Sequence, residues 1–400
     1  MPSHSSADRP GGEGGPMPDA PTVVVVGAGI VGASIAHSLV QRGWSVTVVE
    51  QYTPGHVRGS SHDTSRVLRL SYGGGRDIDV WYTRQAWRAR QLWQEIGVEE
   101  GIELFHNVGV VWFAKGEAEF EEQSARSLEA LGLPVERLAP EAARDFFPDV
   151  RCDDLEFVLH EPSSGVLRAR LGVLTLMRRA LRAGARLRIA KARPDAKGRA
   201  IVDGKVLPAD QTIWACGPWL GRWFPHLAEI ESVRQNVFYF GVEPQWRTPG
   251  LPVWVDGGAY GAGDIDDSGF KVGGALGAAP VIDPDLADRP PDSEAEQAAR
   301  WALANRFPAL AGAPLVSRHV CQYELTADQH FLLTPVPESV GGWLAGGGGH
   351  AFKFGPAFGE YTADLIEGGE QPLPEFGLGP REKYQSKEST TPGQLARQHR

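Results

Sequence analysis

The run "TVVVV" at residues 22–26 is apolar without alternation, the pattern of a parallel strand buried on both faces. In "ASIAHSLVQRG" the period changes: apolar positions recur on one face of an amphipathic helix that stops at Gly43. "SVTVVE" returns to a β-branched run and ends on Glu50. Strand, helix and strand make a βαβ unit, so the chain opens as an α/β fold. Farther on, "NVGVVWFA" and "NVFYFGV" predict strands of a mixed sheet. "RPPDSEAEQAARWALANRFPAL" predicts a helix with an acidic start and an amphipathic body. "HVCQYELTADQHFLLT", residues 319–334, predicts a strand, a short turn and a second strand. No segment repeats.

Gly27, Gly29 and Gly32 stand between the first strand and the helix as G-x-G-x-x-G. The first permits the tight turn, the second lets backbone approach a pyrophosphate, and the third lets helix and strand pack closely. The helix N-terminus then faces the phosphates, and Glu50 is placed to accept from a ribose diol. The unit predicts a dinucleotide; the glycines alone do not separate NAD from FAD.

Composition acts mainly by exclusion. The formal net charge is -10 with no basic stripe, which argues against nucleic acid. Residues 1–20 and 381–400 are polar, the first rich in Pro, Gly and Ser, and both are expected to be disordered tails. The leading one lacks the apolar run of a signal peptide or membrane span. Cys152, Cys216 and Cys321 lie far apart and match no zinc spacing or secreted disulfide framework. A soluble, cytoplasmic protein without a metal is expected. Cys321 then poses a choice between a packed core thiol and a reactive sulfur.

The polar stretch "GSSHDTSRVLRLSYGGG", residues 59–75, follows the βαβ unit and carries Arg66 and Arg69. If the stretch is helical, the two arginines share a face. Its "SSHDTSRVLRLSYG" resembles the segment after the second strand in the sarcosine oxidase and N-methyltryptophan oxidase family, FAD enzymes of the D-amino acid oxidase superfamily. "EPSSGVL", "IWACGPW", "RQNVFYF", "AYGAGDIDDSGFKVGG", "CQYELTADQHFLLT" and "GGGGHAFKFGPAFGE" resemble further family segments in the family's order.

The resemblance implies FAD, joined to Cys321 by a thioether to the flavin ring. It implies a cofactor set of Gly27, Gly29, Ile30, Val31, Gly32, Glu50, Gln51, Ser61, Arg66, Cys216, Gly217, Trp219, Gly348, Gly349 and Lys353. Arg69 and Lys353 match the pair that clamps a substrate carboxylate. Lys271 and Arg66 match cations on opposite sides of the reactive flavin centre, with Lys271 bonded to the flavin through water and activating dioxygen. Tyr260, Tyr72 and His350 match residues near the site, with core packing or a structural hydrogen bond as the alternative for each. Pro356 falls in the first turn of a helix directed at the flavin. Three departures are visible: Leu70, Ala262 and Ala275 stand where the family carries larger or more polar groups. With Gly274, the two alanines predict a wider pocket and a substrate bulkier than sarcosine.

The expected architecture is a Rossmann-type FAD-binding domain, residues 20–95, 155–230 and 325–380, interleaved with an α+β substrate domain on a mixed sheet, residues 96–154 and 231–324. The implied reaction oxidises a secondary, N-alkylated or cyclic amino acid to an imine while dioxygen becomes hydrogen peroxide, in a monomer. Two other classes stay open: an NAD-dependent dehydrogenase, and a flavin-carrying subunit that needs a partner or another electron acceptor.

Overall fold

The computed structural model describes residues 20–274, 281–285 and 293–382. Ala275 and most of both tails lie outside the described residues. The opening run forms the strand Thr22–Val26 at the centre of a six-stranded sheet. Ser45–Glu50 and Gln211–Trp214 flank it in parallel, and Arg186–Ile189 and Gly342–Gly346 extend the parallel set on either side. Leu332–Pro335 closes one edge in antiparallel. The helix Ile30–Gln41 packs between helices Ala169–Arg182 and Gly355–Ile366, and Ser34 and Ser38 are buried with its apolar residues. It is therefore enclosed nearly all round, where an amphipathic helix was the expectation. A small sheet, Ala192–Pro194, Ala200–Val202 and Lys205–Val206, contributes Ala192, Ala200 and Val202 to the core on the opposite face.

The second large sheet has eight strands and a single parallel pair, Val253–Asp256 beside Val110–Ala114. Its order runs from Leu315–Thr326 through Ile230–Phe240, Phe270–Gly274, Ala259–Ala262, Val253–Asp256, Val110–Ala114 and Phe157–Glu161 to Glu136–Leu138. The hairpin of "AYGAGDIDDSGFKVGG" pairs Ala262 with Lys271. "HVCQYELTADQHFLLT" is two strands as expected, but they belong to different sheets. The turn between them is a crossover. Asp328 anchors it by accepting from the His330 amide at 3.0 Å and from Arg381 at 2.7 Å.

Three expectations change. Ser65–Leu68 is a strand paired with Gly165–Arg168, not a helix, so Arg66 and Arg69 share no helical face. The helix Asp77–Glu100 runs unbroken through the expected boundary at residue 95. Phe157–Glu161 belongs to the eight-stranded sheet, so the chain crosses back after Glu161, not at 155. Pro356 does sit in the first turn of Gly355–Ile366. Among the described residues, no helix is long and apolar enough to cross a membrane, and no cluster of side chains suits a metal.

Candidate active site

One cavity of about 400 Å³ runs from the glycine turn to Arg69 and Lys353. At the glycine end Gly27 takes φ +106°, a region that costs other residues strain. A Cβ on Gly32 would overlap the Gly27 carbonyl oxygen, and one on Gly29 would press on Ser61 Oγ at 3.1 Å. Helix and strand can meet here only without side chains. Glu50 accepts from the Ala28 amide at 2.8 Å and the Tyr52 amide at 2.9 Å, one per carboxylate oxygen. A carboxylate takes about four hydrogen bonds, so acceptor capacity remains for a diol. Ser61 Oγ accepts from the Ile30 amide at 2.9 Å. Ile30, Val31, Gln51, Cys216, Gly217 and Trp219 complete this wall. The bare backbone, the helix start and the acid beyond it fit the pyrophosphate and ribose of a dinucleotide.

Midway along the wall stands Glu324, which was not foreseen. It is buried, accepts from the Gly347 amide at 3.2 Å and from Ser60 Oγ at 3.4 Å, and burial pushes its carboxyl up.

Beyond it lies a cluster of buried charge. Arg66 lines the cavity; Lys271 lies behind it, 4% exposed. Asp63 joins them, with one oxygen, Oδ2, accepting from Arg66 at 2.6 Å and from Lys271 at 2.9 Å. Its other oxygen accepts from the Thr64 amide at 2.8 Å and from the Tyr239 hydroxyl. Burial alone would raise the Asp63 carboxyl, but Lys271 and Arg66 hold it far below the usual carboxylate range. Lys271 also donates to the Ser65 carbonyl at 2.7 Å and Ser65 Oγ at 3.3 Å. An ammonium has three N–H groups, and all three are used. The expected water bridge from Lys271 to the cofactor therefore has no donor left.

Cys321 is fully buried against Val237 and Tyr239 and does not line the cavity. Its Sγ is 3.6 Å from Arg66 Nη2 and 3.7 Å from His62 Nε2. Burial raises the thiol and Arg66 opposes it; burial also lowers His62 to about 4, so that imidazole is neutral at pH 7. The cation density that a reactive sulfur needs is present. Two residues on, Tyr323 does line the cavity, with its hydroxyl 3.4 Å from that of Tyr260.

At the far end Arg69 donates to the Ser71 carbonyl and lies over the rings of Tyr72 and Trp112, 4.8 and 5.3 Å from their centres. Lys353 donates to the His350 carbonyl at 3.2 Å. Burial, then repulsion by Arg69, pushes the Lys353 ammonium well below its ordinary value, with Glu161 opposing. An anion entering between Arg69 and Lys353 would favour the protonated ammonium again. Glu161, fully buried, accepts from the Leu70 amide at 2.7 Å, Trp112 Nε1 at 2.6 Å, Ser164 Oγ at 2.5 Å and the Ser71 hydroxyl. It ties the Arg69 segment to the Trp112 wall.

His350 has both nitrogens engaged: Nε2 with the Gln329 carbonyl at 2.9 Å and Nδ1 with Tyr72 Oη at 3.2 Å. Burial keeps it neutral, so Nε2 donates to the carbonyl and Nδ1 accepts from the phenol. Its ring lines the cavity, but its protons are committed to structure. Tyr72 stacks on Tyr82, away from the cavity. Ala262, expected on the pocket wall, is buried in the core with Val253 and Val255. Gly348, at φ +54°, serves a turn and not the cavity wall. Gly274 does line the cavity, with Val255, Gly257 and Gly258.

Asp63, Tyr239, His62, Glu161, Trp112, Tyr323 and Glu324 were all missed as site residues. The one sequence signal was composition. An Asp beside two arginines, and a Glu opening "EPSSGVL", are charges in segments that turn out buried.

A family model described as FAD dependent oxidoreductase matches residues 22–365. The chain is 27% identical over 372 residues to N-methyl-L-tryptophan oxidase of Salmonella typhimurium, covering 90% of this chain and 97% of that protein. Among solved structures, iminodiacetate oxidase from Chelativorans sp. BNC1 aligns at TM-score 0.74 and 26% identity, over 89% of this chain and 98% of that one. L-proline dehydrogenase from P. horikoshii aligns at TM-score 0.77 and 22% identity, over 90% and 96% respectively, a likeness of fold.

Proposed function

Because the chain belongs to the family of FAD-dependent oxidoreductases, we propose that it oxidises the C–N bond of a secondary, N-alkylated or cyclic amino acid to an imine, with dioxygen as acceptor. The observation that carries this reading is the pairing of the basic side chains Arg69 and Lys353 in the cavity that starts at the glycine turn. An arginine fork beside an ammonium suits a carboxylate. Oxidases of N-methyl-L-tryptophan and of iminodiacetate among the similar proteins point to amino-acid substrates as well.

When bound, the flavin accepts two electrons and a hydrogen from the carbon beside nitrogen and passes them to an acceptor. The protein binds, orients and shields. Gly27, Gly29 and the start of helix Ile30–Gln41 would hold the pyrophosphate and Glu50 the ribose; Arg66 would face the ring and Cys321 would tether it. Glu324 would accept from the polyol that joins phosphate to ring. Arg69 and Lys353 would grip the carboxylate and so fix which C–H bond is presented. Tyr260, Tyr323 and Trp112 would wall off water. Lys271 would act on dioxygen as a fixed charge behind Arg66. The bare wall of Gly257 and Gly258 supports a substrate larger than sarcosine; at Gly274 the missing side chain makes room for the Gly258 carbonyl instead. In this reading a FAD-binding part and a substrate part correspond broadly to the two large sheets, and the protein works as a monomer.

A second reading, a dehydrogenase that passes electrons to a partner or another acceptor, gains from one observation: Lys271 spends its hydrogen bonds on Asp63 and Ser65 and does not reach the cavity. The test is to add secondary and cyclic amino acids without dioxygen, follow the yellow absorbance, then admit air. The first reading expects bleaching, recovery and peroxide. Bleaching without recovery in air supports the second, and no bleaching by any such amine contradicts both.

A further inference from the structure

Asp63 is a buried carboxylate that the reaction scheme does not use. It does not line the cavity, yet it holds two cations on one oxygen, Arg66 at 2.6 Å and Lys271 at 2.9 Å. Of the three residues only Arg66 touches the cavity. We propose that Lys271 works by occupying Asp63: it cancels that carboxylate, so the cavity-facing guanidinium of Arg66 presents a net positive charge to an anion forming beside it. This rests on the reading above that positive charge here assists dioxygen, and it changes which residue supplies it.

The charge count carries the argument. Burial lowers the Lys271 ammonium and Asp63 opposes that; with both Lys271 and Arg66 protonated against the one carboxylate, the cluster carries a net charge of +1. The other groups around it add none at neutral pH. Burial keeps the Tyr239, Tyr260 and Tyr323 phenols protonated, His62 is neutral, and Cys321 carries no charge either as the buried thiol or as a thioether. Without Lys271, Arg66 and Asp63 would be a closed ion pair, and a neutral pair has little field at the cavity. Lys271 cannot act by contact, because all its N–H groups point to Asp63 and Ser65. The backbone serves the same end: Asp63 sits at φ +102°, a strained conformation for a non-glycine residue, which persists only when its surroundings hold it. Here the Thr64 amide, Tyr239 and both cations do so. Asp63 and Lys271 are thus positioning residues for Arg66.

A charge-rescue experiment tests this on the flavin-loaded protein. Lys271→Met leaves the Arg66–Asp63 pair at zero charge. Reoxidation of the reduced enzyme by dioxygen should slow by about 10²–10³, the range for loss of one preorganised charge-stabilising group. Asp63→Asn added to Lys271→Met returns the net charge to +1 on Arg66 alone. Reoxidation should then recover to within about tenfold of the unaltered protein. The reduction potential of the bound flavin should follow the same order, falling in Lys271→Met and rising again in the double variant. A purely structural role would not restore it. Removing both members of a buried ion pair is also gentler on stability than removing one. If Lys271→Met loads poorly, Lys271→Gln with and without Asp63→Asn carries the same charges. A double variant as slow as the single one, with its potential still low, overturns the proposal while leaving Lys271 in the dioxygen step. Unchanged reoxidation in Lys271→Met overturns the dioxygen reading itself, and this proposal with it.

Discussion

At the glycine end of the cavity, the turn, the helix start and Glu50 all come from residues 27–50; the first two do their work through backbone and Glu50 through a carboxylate held by two amides. At the cation end, Asp63 and Arg66 meet Tyr239 and Lys271 from two strands of the eight-stranded sheet and Cys321 from a third. The first end is a local device that any chain with these glycines can fold. The second exists only once the three-stranded sheet that holds Ser65–Leu68 has docked on the eight-stranded one. At the second end two cations share one carboxylate, Asp63, beside neutral partners such as the Thr64 amide, Tyr239 and Ser65, so each substitution of a charge there changes the field its neighbours feel.

Four predictions press on this contrast. The largest effect is expected at Cys321. Acid precipitation should leave all the yellow colour with the unaltered protein and none with Cys321→Ser; colour lost from the unaltered protein would remove the tether.

Next comes the clamp. Arg69→Ala or Lys353→Met should weaken a carboxylate inhibitor by about 2–5 kcal/mol, the cost of losing one partner of a buried charged pair. Titration of the flavin absorbance measures it, and an unchanged affinity would mean the anion binds elsewhere.

Substrate size follows. A pocket distinguishes neighbours by about 1–3 kcal/mol per methylene. With Gly257 and Gly258 on the wall, kcat/KM should be higher for a bulky N-alkyl or cyclic amino acid than for sarcosine. A preference for sarcosine over every larger amine would show that the open wall is not the substrate's.

The smallest effect concerns pH. Burial and Arg69 depress the Lys353 ammonium, and a bound carboxylate would raise it again. Above the depressed value, binding must take up a proton. Inhibitor affinity should therefore weaken as pH rises, by at most about tenfold per unit. Calorimetry in buffers of different ionisation enthalpy should show proton uptake; none would mean that Lys353 is already charged or stays neutral.

The same contrast explains what could be read from the chain. Gly27, Gly32 and Glu50 announce themselves because period and spacing along the sequence are the geometry. Lys271 lies in an alternating strand, where a lysine ordinarily faces solvent; only resemblance to a family marked it. Asp63 and Glu161 gave only the compositional signal of a charge in an otherwise buried segment, and Glu324 gave none, since a buried acid is recognisable only by the donors around it, and Glu161's come from residues 70, 71, 112 and 164. Ala262 was misplaced for a different reason. It shares a face of its strand with Tyr260, two residues before it, and Tyr260 does line the cavity. The cavity ends short of Ala262, which packs in the core with Val253 and Val255, and where a cavity ends along a strand is not written in the strand's sequence.

The account stands most directly on the meeting of an anion clamp with a flavin in one cavity. The decisive measurement is the rate of anaerobic bleaching by one amino acid and by its primary carboxamide, at equal concentration below saturation. The amide keeps the reacting C–H and nitrogen but loses the charge that Arg69 and Lys353 would hold. Bleaching by the acid should be faster by about thirtyfold or more, the equivalent of about 2 kcal/mol. Equal rates would contradict the clamp, and with it the claim that these two cations select the substrate.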